Sequence, residues 1–369
     1  MPSQAQNYHR ATLSSIARDL GLATSTVSFC LSGKASQYGI KAETVQTVRD
    51  YAGKVGYVVN SAARQLRTQT TPPVGLLFDP RLNAGEMPLK ALYRAQEKLK
   101  KHGLEVRIVA ADIWNGSVQM QQLGCREAIV FSTFTEAPAK PEVSEETLQA
   151  RKNIAANLKL YAINYSFHSQ ETPIFPNVVR LGINRNSVNN ALCEYLSELD
   201  KGKLILQSSW SGTSINSDYT LILDNFSIEQ TPYETGRQWA HHYLEMRKKY
   251  PIGTIMPGDD RISAGLLSEL INHGVKVPEE VRVISFDNLD FGSCLAVPLT
   301  SWGVPMQKHV DMVLDNMLNK TPIPERLVST PDFSWGASSG FTQQQQQEFM
   351  QKIERICQEC NNINKEMEK

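Results

Sequence analysis

Apolar positions in the first sixty residues recur at helical spacing. Thr12 suits a helix N-cap, Ile16, Ala17 and Leu20 share one face, and Gly21 suits a left-handed stop. Leu22 points into the turn, and Thr24 opens a second short helix with Val27 and Leu31 inward and Gly33 at its end. Residues 12–33 thus read as a helix-turn-helix, a unit that lays its second helix in the major groove of duplex DNA. A plain helical hairpin is the alternative. A third helix is predicted over residues 42–55, with Val45, Val48, Ala52 and Val55 as its stripe. Residues 56–70, GYVVNSAARQLRTQT, hold few apolar anchors and two arginines, a composition that orders on a partner.

Beyond Pro72 and Pro73 the pattern changes. Short apolar runs at 74–78, 106–110, 128–131, 161–164, 203–207, 219–223, 253–256 and 281–286 read as strands. Helical stretches alternate with them at 91–102, 187–199 and 235–250. Such alternation predicts parallel sheets covered by helices on both faces. About 260 residues exceed one compact sheet, so two doubly wound lobes with a cleft between them are expected, with ligand at the carboxyl ends of the strands. After five glutamines, Phe349, Ile353, Ile356, Cys360, Ile363 and Met367 recur at alternating spacings of four and three. Two readings of this seam stand open: a helix packed on its own body, or a coiled coil joining two dimers. The boundaries that follow are 1–59 for the helical unit, 60–72 for a hinge, 73–341 for the two-lobed body and 342–369 for the tail.

Charge sharpens this picture. The 369-residue chain balances 38 basic against 38 acidic side chains. Its first 71 residues, however, carry eight basic groups (Arg10, Arg18, Lys34, Lys41, Arg49, Lys54, Arg64, Arg67) against Asp19, Glu43 and Asp50. A basic first fifth suits a unit that neutralises phosphates. The six cysteines are scattered, and Cys357 and Cys360 read as reduced thiols on a helix, so no metal and no cofactor is expected. The N-terminal residues have no apolar signal core and no run approaches a bilayer span, so a cytoplasmic, nucleoid-associated protein without a membrane partner is expected. There is no Gly-rich phosphate loop, GxSxG elbow or HExxH, and His241-His242 reads as a solvated helical face; no catalytic residue is assigned.

Two regions resemble the LacI/GalR (lactose-repressor) family. The first is carried by Thr12-Leu13, Ile16-Ala17, Gly21-Leu22, Thr26-Val27-Ser28, Glu43-Thr44, Gly56-Tyr57, Asn60, Ala63 and Leu66. The second, within residues 258–305, is carried by Asp260, Gly265, Gly274, Val277-Pro278, Phe286-Asp287-Asn288 and Leu299-Thr300. The resemblance implies a ligand-controlled transcriptional regulator, a repressor by default. It would have a helix-turn-helix domain and a periplasmic-binding-protein-like body, bind a near-palindromic operator as a homodimer, and take a small-molecule effector, a sugar by analogy. A tetramer through 343–369 is the further possibility, and a sugar-binding protein without a DNA role is the rival. DNA contacts are implied for Thr12, Thr24, Ser25, Thr26, Ser28, Phe29, Tyr57, Asn60, Arg64 and Leu66, with Leu66 wedged between base pairs in the minor groove.

Effector contacts are implied for Asp260, Asp287 and Trp302, with Trp210 in the neighbourhood. Each has a plainer reading: Asp260 as a helix cap, Asp287 as a turn anchor, Trp302 as core. The chain also departs from the family. The arginine usual after the strand at 203–207 is missing from SSWSGTSINSDY. Phe29 stands where arginine or histidine often reads guanine, which leaves a thymine methyl or a sugar as its contact. Val59 replaces the usual proline before the hinge asparagine.

Overall fold

The computed structural model describes residues 11–57, 71–80, 86–133, 157–167, 177–208, 220–223 and 230–367. The N-terminal segment forms α1 (Leu13–Leu20), α2 (Thr24–Leu31), a short 3-10 turn (Ala35–Tyr38) and α3 (Ala42–Lys54). Ile16, Ala17, Val27, Cys30, Val48 and Ala52 form one small buried core. Thr12 caps α1 as expected, its hydroxyl accepting from the Ser15 amide at 3.0 Å while Ser15 Oγ accepts from the Thr12 amide at 2.9 Å. Gly21 takes φ 64°, the left-handed region, and turns the chain into α2. Tyr51 donates to Asp19 at 3.1 Å, tying α3 to α1.

The chain divides into two compact units. The first comprises Met1–Tyr165, Ser169–Leu181 and Gln307–Glu325; the second comprises Ser166–His168, Gly182–Met306 and Arg326–Lys369. The strands of the first sheet are β1 (Val74–Phe78), β2 (Val106–Ala110), β3 (Glu127–Val130), β4 (Lys159–Ser166), β5 (Val178–Ile183) and β11 (Arg326–Val328), in spatial order β11-β5-β4-β3-β1-β2. The second sheet holds β6 (Leu204–Ser208), β7 (Thr220–Leu223), β8 (Ile252–Met256), β9 (Arg282–Phe286), β10 (Thr300–Gly303) and β12 (Asp332–Ser334), in order β12-β10-β9-β8-β6-β7. The runs β2-β1-β3-β4-β5 and β7-β6-β8-β9-β10 repeat one doubly wound order. Strand order therefore reverses between β1 and β3 and between β6 and β8, where such sheets open a crevice at their carboxyl ends. Strand β12 pairs with β10 in the antiparallel sense, an edge addition to a sheet whose other pairs are parallel.

Helices α4 (Glu86–Lys101), α5 (Ile113–Gln122) and α9 (Met306–Asn319) belong to the first unit; α6 (Arg185–Leu199), α7 (Pro232–Met246), α8 (Asp260–Asn272) and α10 (Gln343–Met367) belong to the second. The expected α/β alternation is present. Several elements escaped the sequence reading, among them β5, β11, β12 and α5. Strand β5 is interrupted by Arg180 and Gly182, and α5 buries Gly116, Ser117 and Gln121 beside Met120, so no apolar stripe marks it.

The first half of the tail packs on its own chain. Phe349, Ile353 and Cys357 of α10 are buried against their own chain. Phe349 meets the rings of Tyr195 at 5.4 Å and Phe333 at 5.6 Å. Asn361 mimics a strand residue, accepting from the Val328 amide at 2.8 Å and donating to its carbonyl at 2.9 Å. Of the seam positions, Phe349 and Ile353 are thus spent inside the chain and Ile356 and Cys360 are half-buried, while a tetramer through 343–369 stays a proposal. The CxxC pair lies on a helix as free thiols, with burial pushing Cys357 up to about 11.

Candidate DNA interface and effector site

Helix α2 presents its first turn to solvent. Thr24 and Ser25 are exposed and Thr26 and Ser28 half-buried, while Val27 and Cys30 face the core. The N-cap is Ala23, whose side chain makes no capping bond. The first-turn amides of α2 therefore keep the capacity to bind a phosphate oxygen, as open helix N-termini do. Phe29 is not a free probe: its ring stacks on Tyr38 at 3.7 Å and 6°. The two rings form one apolar ledge, half-buried on the Phe29 side and exposed on the Tyr38 side. Thr12 is exposed beside it; Tyr57 packs on the helical core, its amide bonded to the Ala52 carbonyl at 2.8 Å. Asn60, Arg64, Leu66 and Trp210 lie outside the described residues.

In the second unit, the loop after β9 is latched from three sides. The Asp287 amide donates to the Trp302 carbonyl at 2.9 Å, the Asn288 amide to Ser301 Oγ at 3.0 Å and the Leu289 amide to Asp260 Oδ2 at 2.6 Å. Ser301 Oγ donates in turn to Asp260 Oδ1 at 2.6 Å. These bonds hold Asp287 at φ 105° and Asn288 at φ 54°. Two consecutive non-glycine residues at positive φ are strained, and strain of this kind collects at binding sites.

Two expectations for this region need correction. Asp260 is fully buried and both its oxygens are taken by the protein, so it fixes the loop rather than facing a ligand. Nor does it cap α8: Asp259 does, accepting from the Arg261 amide at 2.7 Å. Trp302 is likewise buried, with the Phe286 ring edge-on at 4.7 Å and Phe333 stacked at 6.2 Å; no face is left for a sugar. Its aromatic character serves packing.

Asp287 keeps its candidacy. It is half-buried, and burial, followed by the charges of Asp259 and Asp260, raises its carboxyl to about 8 against the opposing pull of Arg185 and Arg261. Burial likewise raises Asp260 to about 6, opposed by its hydrogen bonds to Leu289 and Ser301. One participant was missed from the sequence: Arg185, the first residue of α6. Its guanidinium lies 4.6 Å from the Phe286 ring, and its Nε is buried with no hydrogen-bond partner. Position was the available signal, since an arginine directly after a strand and a capping asparagine falls at a carboxyl end.

The first unit carries a matching polar group at its own strand ends. The Asp79 amide donates to Ser132 Oγ, joining the ends of β1 and β3. On β4, Asn164 donates to Thr133 at 3.2 Å, while its Oδ1 is buried without a partner. None of these residues was anticipated.

His241 also differs from expectation, since it is not merely solvated. Its Nε2 lies 3.4 Å from Glu269, and His273 lies 3.6 Å from the same carboxylate. Glu269 is ion-paired with Arg237 at 2.9 Å and His273 Nδ1 contacts the Glu269 carbonyl at 2.9 Å, so the group ties α7 to α8.

Comparison with known proteins agrees with this architecture. Residues 217–339 match the periplasmic binding protein-like domain. The chain is 21% identical to the HTH-type transcriptional regulator RegA of Clostridium saccharobutylicum over 85% of its length and 94% of the relative's. It is 24% identical to the HTH-type regulator GntR of Pseudomonas aeruginosa over 81% and 85%. The lac repressor dimer bound to operator and the anti-inducer ONPF superposes with a TM-score of 0.52 at 15% identity, over 89% of this chain and 99% of that one. The chain is thus similar to HTH-type transcriptional regulators over most of its length and shares the fold of the lac repressor. It joins a helix-turn-helix unit to two doubly wound units. Among the described residues no helix is long and apolar enough to cross a membrane.

The Asp287 carboxyl gives this site a pH signature. The native state holds a proton that the unfolded chain releases between about pH 4 and 8. Protons bound more tightly in the native state make stability fall as pH rises through that window. Asp260 adds a fall of the same sign between about pH 4 and 6. Asp287→Asn carries no titrating group, so it is expected to be more stable than wild type at pH 8 by at least about 1 kcal/mol and to show a flatter profile between pH 6 and 8. Urea unfolding at pH 5, 6, 7 and 8 checks this; superimposable profiles for the two proteins would refute it.

Proposed function

We propose that this protein is a sequence-specific DNA-binding transcriptional regulator, acting as a repressor, whose hold on its operator is set by a small effector. The exposed, side-chain-uncapped first turn of α2 carries this reading, because it offers Thr24 and Ser25 to base edges and open amides to phosphate. Thr12 and Ser28 flank that turn, and Phe29 with Tyr38 supplies an apolar ledge for a thymine methyl or a sugar. Asn60, Arg64 and Leu66 are assigned to the hinge within 60–72, and a homodimer presents two such units to a near-palindromic site. The effector binds at the carboxyl ends of the second unit's strands, where Arg185 and Asp287 meet. Its action is a shift between two arrangements of the body that differ in affinity for operator. Catalysis has no part in this reading, and the protein acts on DNA in the cytoplasm.

The test starts from genomic fragments selected by the purified protein and sequenced. A near-palindromic site is expected, with specific binding at least 10³-fold tighter than binding to unrelated DNA at physiological salt. Removing residues 1–70 is expected to abolish that binding while the remaining body stays folded. Salt-sensitive binding without sequence preference would sink the regulator reading.

A further inference from the structure

We propose that the effector carries an anionic group, a carboxylate or a phosphate, and that Arg185 is the residue that grips it. This inference rests on the effector reading above.

Arg185 is a cation without an ion pair among the described residues. It stacks on Phe286, and its Nε is buried without a hydrogen-bond partner. A guanidinium N–H shielded from water without an acceptor is costly, so such a group marks the place where a partner belongs. The other cation of the site is already satisfied: Arg261 pairs with Asp259 at 2.6 Å. The fold adds to the attraction. Arg185 opens a 15-residue helix, so its side chain leaves from the positive end of α6, where Asn184 caps only the Ser187 amide.

Asp287 is the obvious counter-ion within the protein. It stands beside Asp259 and Asp260, and burial together with their charges holds its carboxyl at about 8. Near neutrality it is therefore largely protonated and leaves the charge on Arg185 uncompensated. A neutral sugar would supply hydroxyls but no charge. A carboxylate or phosphate matches the guanidinium fork and compensates its charge, while protonated Asp287 donates to a neighbouring ligand oxygen.

The test uses the full-length protein, Arg185→Met and the conservative Arg185→Lys. Thermal unfolding is followed with inorganic phosphate, acetate, D-gluconate, D-glucose 6-phosphate and neutral D-glucose, each against sodium chloride at matched ionic strength. At least one anion is expected to raise the wild-type midpoint by about 3 °C or more at ten times its Kd, with R185M losing the shift and R185K keeping part of it. Gluconate and acetate acting alone would assign a carboxylate, glucose 6-phosphate and phosphate alone a phosphate. Without ligand, R185M is expected to melt no lower than wild type, because it removes a half-buried charge with an unsatisfied N–H. Equal responses of wild type and R185M to every anion overturn the proposal, as does an R185M midpoint well below wild type without ligand. Binding to the selected operator separates the two readings. An Arg185-dependent anion shift with unchanged operator affinity overturns the effector reading and leaves the anion site standing. Glucose altering operator affinity equally in wild type and R185M does the reverse.

Discussion

Alanine at Gly265 is expected to unfold the second unit at temperatures where the wild type is intact. Helices α7 and α8 approach so closely that a Cβ at Gly265 would stand 2.0 Å from the Tyr233 carbonyl oxygen. The contact is reciprocal, for a Cβ at Gly236 would stand 1.9 Å from the Ile262 carbonyl oxygen. Ordinary overpacking costs about 1–3 kcal/mol because side chains can shift. Here the obstacle is the backbone of a packed helix, so the helices must part and a cost above about 4 kcal/mol is expected. The damage reaches the site, since α8 carries Asp260 and Asp260 holds the Leu289 amide. Circular dichroism during thermal unfolding measures this, and Gly236→Ala should behave alike, with the double variant less than additive because the two positions share one contact. A midpoint within 3 °C of wild type for Gly265→Ala would show that the helices do not meet this closely in solution.

The second large effect is expected at Phe349. Its side chain is fully buried among Tyr195, Phe333 and Trp335, and truncating a core phenylalanine to alanine costs about 3–5 kcal/mol. Phe349→Ala should therefore lose stability to urea while its mass in light scattering stays that of the wild type. The coiled-coil reading makes the opposite pair of claims, stability retained and mass halved, so one preparation decides between them.

The contrast between these sites shows what a single sequence reveals. The helix-turn-helix was legible because its period, cap and left-handed glycine all act within a few residues of one another. The doubly wound body was legible because each buried strand is a short apolar run with its own turn signals. Gly265 could be matched to a family pattern, but the reason for a glycine there is a carbonyl 32 positions away. Asp260 and Asp259 are adjacent, and only the geometry of α8 tells which one caps the helix and which one turns inward. Trp302 reads equally well as a sugar platform or as core until Phe286 and Phe333 are seen to cover it. Arg185 was overlooked because its meaning lies in what it lacks, and a missing partner cannot be read from neighbours in sequence.

The placement of α10 has a consequence for synthesis. The helical unit at 11–57 draws its core from contiguous residues and can close as soon as they leave the ribosome. The second unit takes Phe349 and Ile353 from α10, and the partner of the Val328 backbone is Asn361. Its core stays incomplete until α10 has been made. Each newly made molecule therefore passes through an interval in which the helical unit is finished and the second unit is not.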